Sequence, residues 1–314
     1  MYYPYLRGKQ FELLALREFV DIYSGDCRVF PIIEPVNENC NSIKIAIRKL
    51  QEKDIDFGLI LNPQVGDLKN KPNYVYENLN ELLGLNYKWS PAFIVNTHNS
   101  RFIINLINDN ILRDVMLICN ESIDVDDFDF DEMINKAEIT KVLINNNNRS
   151  LKRKLDRIHK AVIRLDDSFN PQKKNADYLD ITEERFTEEH RYYASDGYIG
   201  FGDYTTLISD YSEGGRLPYA VAIHITYEKN EFEIWIRHFV SDTNDDNTNI
   251  QGKFGEAAEK AVAFFESIHK SNNAITELTR YFRNEQYPGL GVLKKISIKN
   301  HLELMNGILT STAL

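Results

Sequence analysis

Short apolar runs of strand character recur along the chain. Most are followed by a stretch whose apolar residues return every three or four positions. The runs fall at 2–7, 29–35, 57–63, 91–97, 114–120, 140–146, 160–166 and 198–203. Behind the first, Phe11, Leu14, Ala15 and Phe19 share a helical face; behind the second, Ile43, Ile47 and Leu50 do. "NSRFIINLIND" follows the fourth run, with Asn99 or Ser100 placed to cap it. "FTEEHRYYASD" is the helical partner expected after the seventh. Eight such units predict a closed parallel (β/α)8 barrel of the TIM type. A doubly wound open sheet is the rival, but no Gly-rich phosphate loop follows the first strand, which favours the barrel.

After residue 208 the periodicity changes. "PYAVAIHITYEKNEFEIWIRHFV" alternates on both sides of "YEKNE", the pattern of a hairpin. "GKFGEAAEKAVAFFESIHK", "AITELTRYFRNE" and "SIKNHLELMNGILTS" predict three further helices. Residues 1–208 are therefore expected to form the barrel. Residues 209–314 are expected to pack on it in one unit, since no Pro/Gly/Ser-rich linker intervenes. The polar "SDTNDDNTN" (241–249) is expected to be a disordered loop.

The strand ends share a feature. Successive runs close on Glu34, Asn62, Asn96, Asn120, Asn145, Asp166 and Asp203. Residues two apart in a strand share a face, so Glu34 points with Ile32, Asn62 with Ile60, Asn96 with Ile94 and Asn120 with Ile118. If those faces line the barrel, a ring of polar groups meets at its C-terminal rim, where such barrels carry their functional groups. The competing reading is plain turn chemistry, because Asn and Asp end strands everywhere.

Charge and composition narrow the function. The chain has 314 residues, with 37 Lys plus Arg against 47 Asp plus Glu, a net charge of −10. That excludes an overall basic nucleic-acid surface but not a local basic groove. Three cysteines (Cys27, Cys40, Cys119) have neither disulfide-framework nor zinc spacing. No run reaches the ~20 apolar residues of a membrane span, and the start has no signal-peptide pattern. A soluble cytoplasmic protein with no membrane partner is expected.

Within the proposed rim, Arg7 and Lys9 are placed to bind a phosphate-containing ligand. Glu34, Asp166 and Asp203, with Glu121 close by, are the carboxylates that a hard cation such as Mg2+ or Mn2+ would take. Arg164 shares a face with Asp166, so an ion pair is the alternative there. His98 is a further candidate at the rim, and His224, Arg237 and His238 lie on the hairpin. His301 opens the last helix. No GxSxG elbow, HExxH or EF-hand loop is present.

"YYPYLRGKQFELLALREF" followed by "VFPIIEPV" resembles the opening of the phage beta-protein family. That family begins with a tyrosine-proline strand, a Lys-x-x-Glu helix start and a P-x-I-E strand; here these are Tyr3-Pro4, Lys9, Glu12, Pro31 and Glu34-Pro35. "GFGDYTT" and a late histidine, His301, are similar too. Phe201 stands where the family often has tyrosine, and one of its paired C-terminal histidines has no counterpart. The resemblance implies Lys9, Glu34, Asp203 and His301 as site residues. It also implies a role in phage defence or mobile elements, acting with a partner protein encoded nearby, such as a nuclease. The residues alone allow a second reading, a metal-dependent phosphodiester or nucleotide hydrolase. Asn62, Asn96, His98, Asn120, Asn145 and Arg237 would contact the ligand in either case.

Overall fold

Strands whose two faces are both apolar must be covered on both sides, which is the condition of a parallel sheet wrapped by helices. The computed structural model describes residues 1–23, 27–69, 71, 73–84, 88–120, 123–214, 217–230 and 233–311. The expected runs become β1 (Tyr5–Leu6), β2 (Ile32–Ile33), β3 (Phe57–Ile60), β4 (Trp89–Ile94), β5 (Val115–Cys119), β6 (Ile139–Asn145) and β7 (Ala161–Asp166). After an intervening strand, β8 (Glu183–Thr187), the eighth is β9 (Gly200–Asp203). The eight pair in parallel in the order β1 to β7, then β9. A bridge between Tyr2 and Phe201, with Tyr3 N donating to Phe201 O at 2.8 Å, brings the last strand back to the first. The fold is the parallel (β/α)8 barrel that the alternation of runs and stripes predicts.

Closure needs room. A Cβ on Gly202 would lie 2.1 Å from Tyr3 O, so only glycine lets β9 and the first segment approach. Inside the barrel, Tyr3, Tyr5, Phe30, Ile32, Ile60, Met116, Ile118, Leu143, Ile163 and Leu165 pack together. Outside, the other strand faces bury the apolar stripes of α1 (Gln10–Ile22), α2 (Asn41–Glu52), α3 (Tyr74–Leu83), α4 (Ser100–Asp109), α5 (Phe128–Asn135) and α6 (Arg149–Arg157). Asn99 does stand at the N-cap of α4, but its amide serves the strand end. It accepts from Asn96 N (2.9 Å) and donates to Ile94 O (2.8 Å). Asp127 caps α5 through Phe130 N, which accounts for part of the acidic run before it.

The seventh unit departs from expectation. Phe186 and Thr187, expected to open that helix, instead end the strand β8, and only the single turn α8 (Glu189–Tyr192) comes after it. Another single turn, α7 (Tyr178–Ile181), precedes β8 in the connection. The cause is tertiary. The hairpin strands β10 (Ala222–Lys229) and β11 (Glu233–Val240) are present, and β8 pairs antiparallel with β11. A segment within residues 1–208 thus belongs to the sheet of the extension.

One face of the hairpin (Ile223, Ile225, Tyr227, Phe239) packs against α9 (Ile250–Ser267) and α10 (Asn273–Arg283). The long α11 (Leu290–Ser311) joins both cores, with Ile296 in that cluster and Ile298, Leu302 and Met305 in the barrel's outer layer. Lys295 and Lys299 of α11 are buried, and each bonds Glu18 of α1 and Glu277 of α10 at 2.6–3.0 Å. Buried charges need such complete pairing to be tolerated. The 241–249 loop is not the disordered segment expected. Thr243 bonds Glu256, Asn249 caps α9 through Gly252 N, and the buried Lys253 donates to Asp246 O at 2.6 Å. Among the described residues, no helix is long and apolar enough to cross a membrane.

Candidate functional site

Glu34 follows β2 with its side chain on the inner face, and its carboxylate is received. Only 1% of the residue is exposed; Oε2 accepts from Tyr5 OH (2.7 Å) and Oε1 from Gln64 N (2.9 Å). Arg7 Nε lies 3.6 Å away. Burial raises the carboxyl above its ordinary range, while these bonds and the guanidinium oppose the rise. Tyr5 packs on Tyr204 with ring centres 5.0 Å apart, and Tyr204 OH accepts from Asn120 Nδ2 (2.9 Å). Asn120 Oδ1 is buried without a hydrogen-bond partner among the described residues.

The remaining amides of the expected ring serve the backbone. Asn62 accepts from Ile94 N and donates to Ile94 O, both at 2.8 Å, bracketing β3 to β4. Asn96 and Asn145 turn back to accept from His98 N (3.0 Å) and Asn147 N (2.9 Å), the local geometry their residue type favours. His98 is exposed.

Asp166, Asp203 and His301 do not join Glu34. The inner positions of β7 are Ile163 and Leu165, so Arg164 and Asp166 face outward and pair at 2.7 Å, with Glu189 2.9 Å from the guanidinium. On β9 the glycines face inward, and Asp203 points out with Phe201. There it accepts from Tyr2 OH (2.6 Å) and Thr205 N (2.8 Å) and faces His301 Nε2 at 3.3 Å. His301 Nδ1 lies 2.9 Å from Thr226 Oγ1, so Asp203 and His301 join α11 and the hairpin to the barrel wall.

The expected cation set of Glu34, Asp166 and Asp203 is therefore split across that wall. Both oxygens of Glu34 are engaged, and among the described residues no group of three His, Cys, Asp or Glu is arranged to hold a metal. These residues do not fit Mg2+ or Mn2+. Glu121 lies outside the described residues. Arg237 pairs with Glu183 (2.9 Å) and sits 4.3 Å from the Phe264 ring, on the sheet face turned toward α9. His224 and His238 meet each other, Nδ1 to Nδ1 at 2.7 Å, with Glu184 3.4 Å from His238 Nε2.

What the rim does assemble is a pocket of about 220 Å3 beside β1 and β9, reached by Tyr5, Arg7, Lys9, Glu12, Tyr204, Tyr211 and Lys294. Gly8 shapes it. Its φ is +46°, a conformation side chains disfavour, and a Cβ there would meet Glu34 O at 2.8 Å. The turn lets Arg7 and Lys9 flank one opening. Arg7 donates to Ser209 O, and its Nε makes no hydrogen bond. Lys9 Nζ donates to Ser212 O at 2.7 Å and lies 4.3 Å from the Tyr211 ring. Lys294 is exposed on α11 and makes no hydrogen bond or ion pair among the described residues.

Glu12, third residue of α1, turns back to accept from Arg7 N at 2.5 Å in a capping-box-like reach. Burial pushes its carboxyl up to about 7 against the pull of that bond and of Lys9, Arg7 and Lys294. In the sequence Glu12 stands out only through the Lys9-x-x-Glu12 spacing. Nothing in the sequence marked Lys294, which comes from a helix nearly 300 residues away.

No family model, no curated protein and no solved structure matches this chain.

Proposed function

We propose that the C-terminal rim of the barrel binds a small organic anion bearing a phosphate or carboxylate, with Arg7 and Lys9 as its main contacts and Lys294 adding charge. The observation that carries this reading is the convergence of three cations on one small pocket. Arg7 and Lys9 spend their hydrogen bonds there on the uncharged main-chain carbonyls of Ser209 and Ser212. An anion could replace those carbonyls with charge-assisted bonds, which are about twice as strong as neutral ones.

Size and chemistry set the class. About 220 Å3 lies below the ~300–1,000 Å3 of drug-sized sites, so a small metabolite suits the pocket and a nucleic-acid strand does not. Recognition is favoured over turnover, because Glu34 is fully engaged and the carboxylates expected to act with it face elsewhere. Glu12 gives binding a proton dependence. An anion beside it favours its neutral form, so affinity should increase as pH falls through about 7.

Taken with the family resemblance, the pocket would be the sensing site of a partner-dependent system. The partner, a nuclease or other protein, rests on the resemblance alone. Calorimetric titration with phenyl phosphate tests the pocket. Arg7→Met combined with Lys9→Met should weaken binding about tenfold or more, as loss of charged hydrogen bonds does. Unchanged affinity in that variant would remove the reading.

A further inference from the structure

A second cavity, of about 520 Å3, opens in the extension between β10, the end of α9, the start of α10 and α11. Nearly every polar atom on its floor is already used. Asn300 accepts from Asn272 Nδ2 and donates to Thr226 O, both at 2.8 Å, and Thr226 Oγ1 lies against His301. The exception is Glu303. Its Oε2 accepts from Asn273 N at 2.8 Å, which satisfies the start of α10, but Oε1 is buried with no hydrogen-bond partner among the described residues. The residue is 3% exposed and lines the cavity.

The missing partner must be a donor, since a carboxylate only accepts. A cation suits it best, because burial raises the Glu303 carboxyl while the charge of Lys299 and the bonds at the start of α10 offset only part of that rise. The nearby lysines do not supply one in bonding contact: Lys295 and Lys299 bond Glu18 and Glu277, and Lys270 at the mouth bonds Glu228. Tyr23 and Phe265 provide apolar and aromatic wall on the same cavity, a surface that favours an organic cation over a bare metal ion.

We propose that this cavity binds a small primary amine with an apolar body, its ammonium group donating to Glu303 Oε1 and its apolar part lying against Tyr23 and Phe265. The site is separate from the rim pocket and does not depend on how that pocket is read.

The test is titration of the full chain with benzylamine, followed by calorimetry, with benzyl alcohol as the uncharged comparator. Saturable benzylamine binding is expected, with benzyl alcohol weaker by about tenfold or more. Glu303→Gln should lose about tenfold or more of the benzylamine affinity while its melting temperature stays near that of the parent. Should that variant fail to fold, the amine-to-alcohol ratio on the parent chain decides alone. Three results would overturn the proposal: no saturable benzylamine binding, equal binding of the alcohol, or undiminished binding by folded Glu303→Gln.

Discussion

Glu34 and Asp203 invite comparison. Each closes a strand of the same barrel, each is almost wholly shielded from water, and each accepts from a tyrosine hydroxyl in or close to β1. Yet they lie on opposite sides of the wall. Glu34 follows Ile32 inward, toward Tyr5 and the rim pocket. Asp203 follows Phe201 outward, into a seam with His301 and Thr226 that fastens the extension to the barrel. The side of the wall follows from which neighbouring positions fill the interior. Ile32 fills it at β2, whereas at β9 the glycines leave that space to Tyr3. The inward carboxylate adjoins a solvent-reachable pocket, and the outward one serves cohesion.

The largest effect should come from the seam. Asp203→Ala leaves Tyr2 OH, Thr205 N and His301 without their shared acceptor, and urea unfolding should show a loss of about 4 kcal/mol. Phenyl phosphate affinity of the folded fraction should be unaltered. A loss of affinity with little loss of stability would reverse the roles assigned to the two carboxylates.

Next comes the pH dependence of the rim. Glu12 is raised from an ordinary 4.5 to about 7, so the folded state holds its proton more tightly than the unfolded chain does. Stability from this group is fully present below pH 4.5 and declines as pH rises toward 7, by up to about 3 kcal/mol. Glu12→Gln should flatten that part of the curve measured by denaturant titration. An identical slope in both chains would mean that Glu12 does not titrate in this window.

A smaller effect is expected at Glu34. Glu34→Gln sets an amide N–H against a donor, either Tyr5 OH or Gln64 N, and should cost about 1–2 kcal/mol in urea unfolding. The smallest belongs to the turn amides. Asn145→Ala removes only a local bond to Asn147 N, and a change above about 1 kcal/mol would show that the ring reaches further than these contacts.

The comparison also shows where the sequence is legible. Eight apolar runs in alternation with helical stripes sufficed for the barrel, and parity placed Glu34 and Asn120 on the inner face beside Ile32 and Ile118. Parity failed at β7 and β9 because the closing carboxylates, Asp166 and Asp203, stand one position out of phase with the residues that face the interior, Ile163 and Leu165 on β7 and Gly200 and Gly202 on β9. Arg164 with Asp166, and Gly200 with Gly202, mark the two faces only once Glu189 and Tyr3 are seen beside them. β8 was hidden for a related reason. Its polar Glu183, Glu184 and Arg185 carry no apolar run, and the strand exists because β11 pairs with it. The rim pocket was half visible: Arg7 and Lys9 stood in the sequence, while Lys294, Tyr204 and Tyr211 reach it through folding alone.

The most direct test is a crystal structure of the chain soaked with phenyl phosphate. The account predicts the phosphoryl group between Arg7 and Lys9, about 3 Å from their nitrogens, with the carbonyls of Ser209 and Ser212 displaced. A rim pocket left empty at saturating ligand, with Arg7 and Lys9 still bonded to those carbonyls, would contradict it.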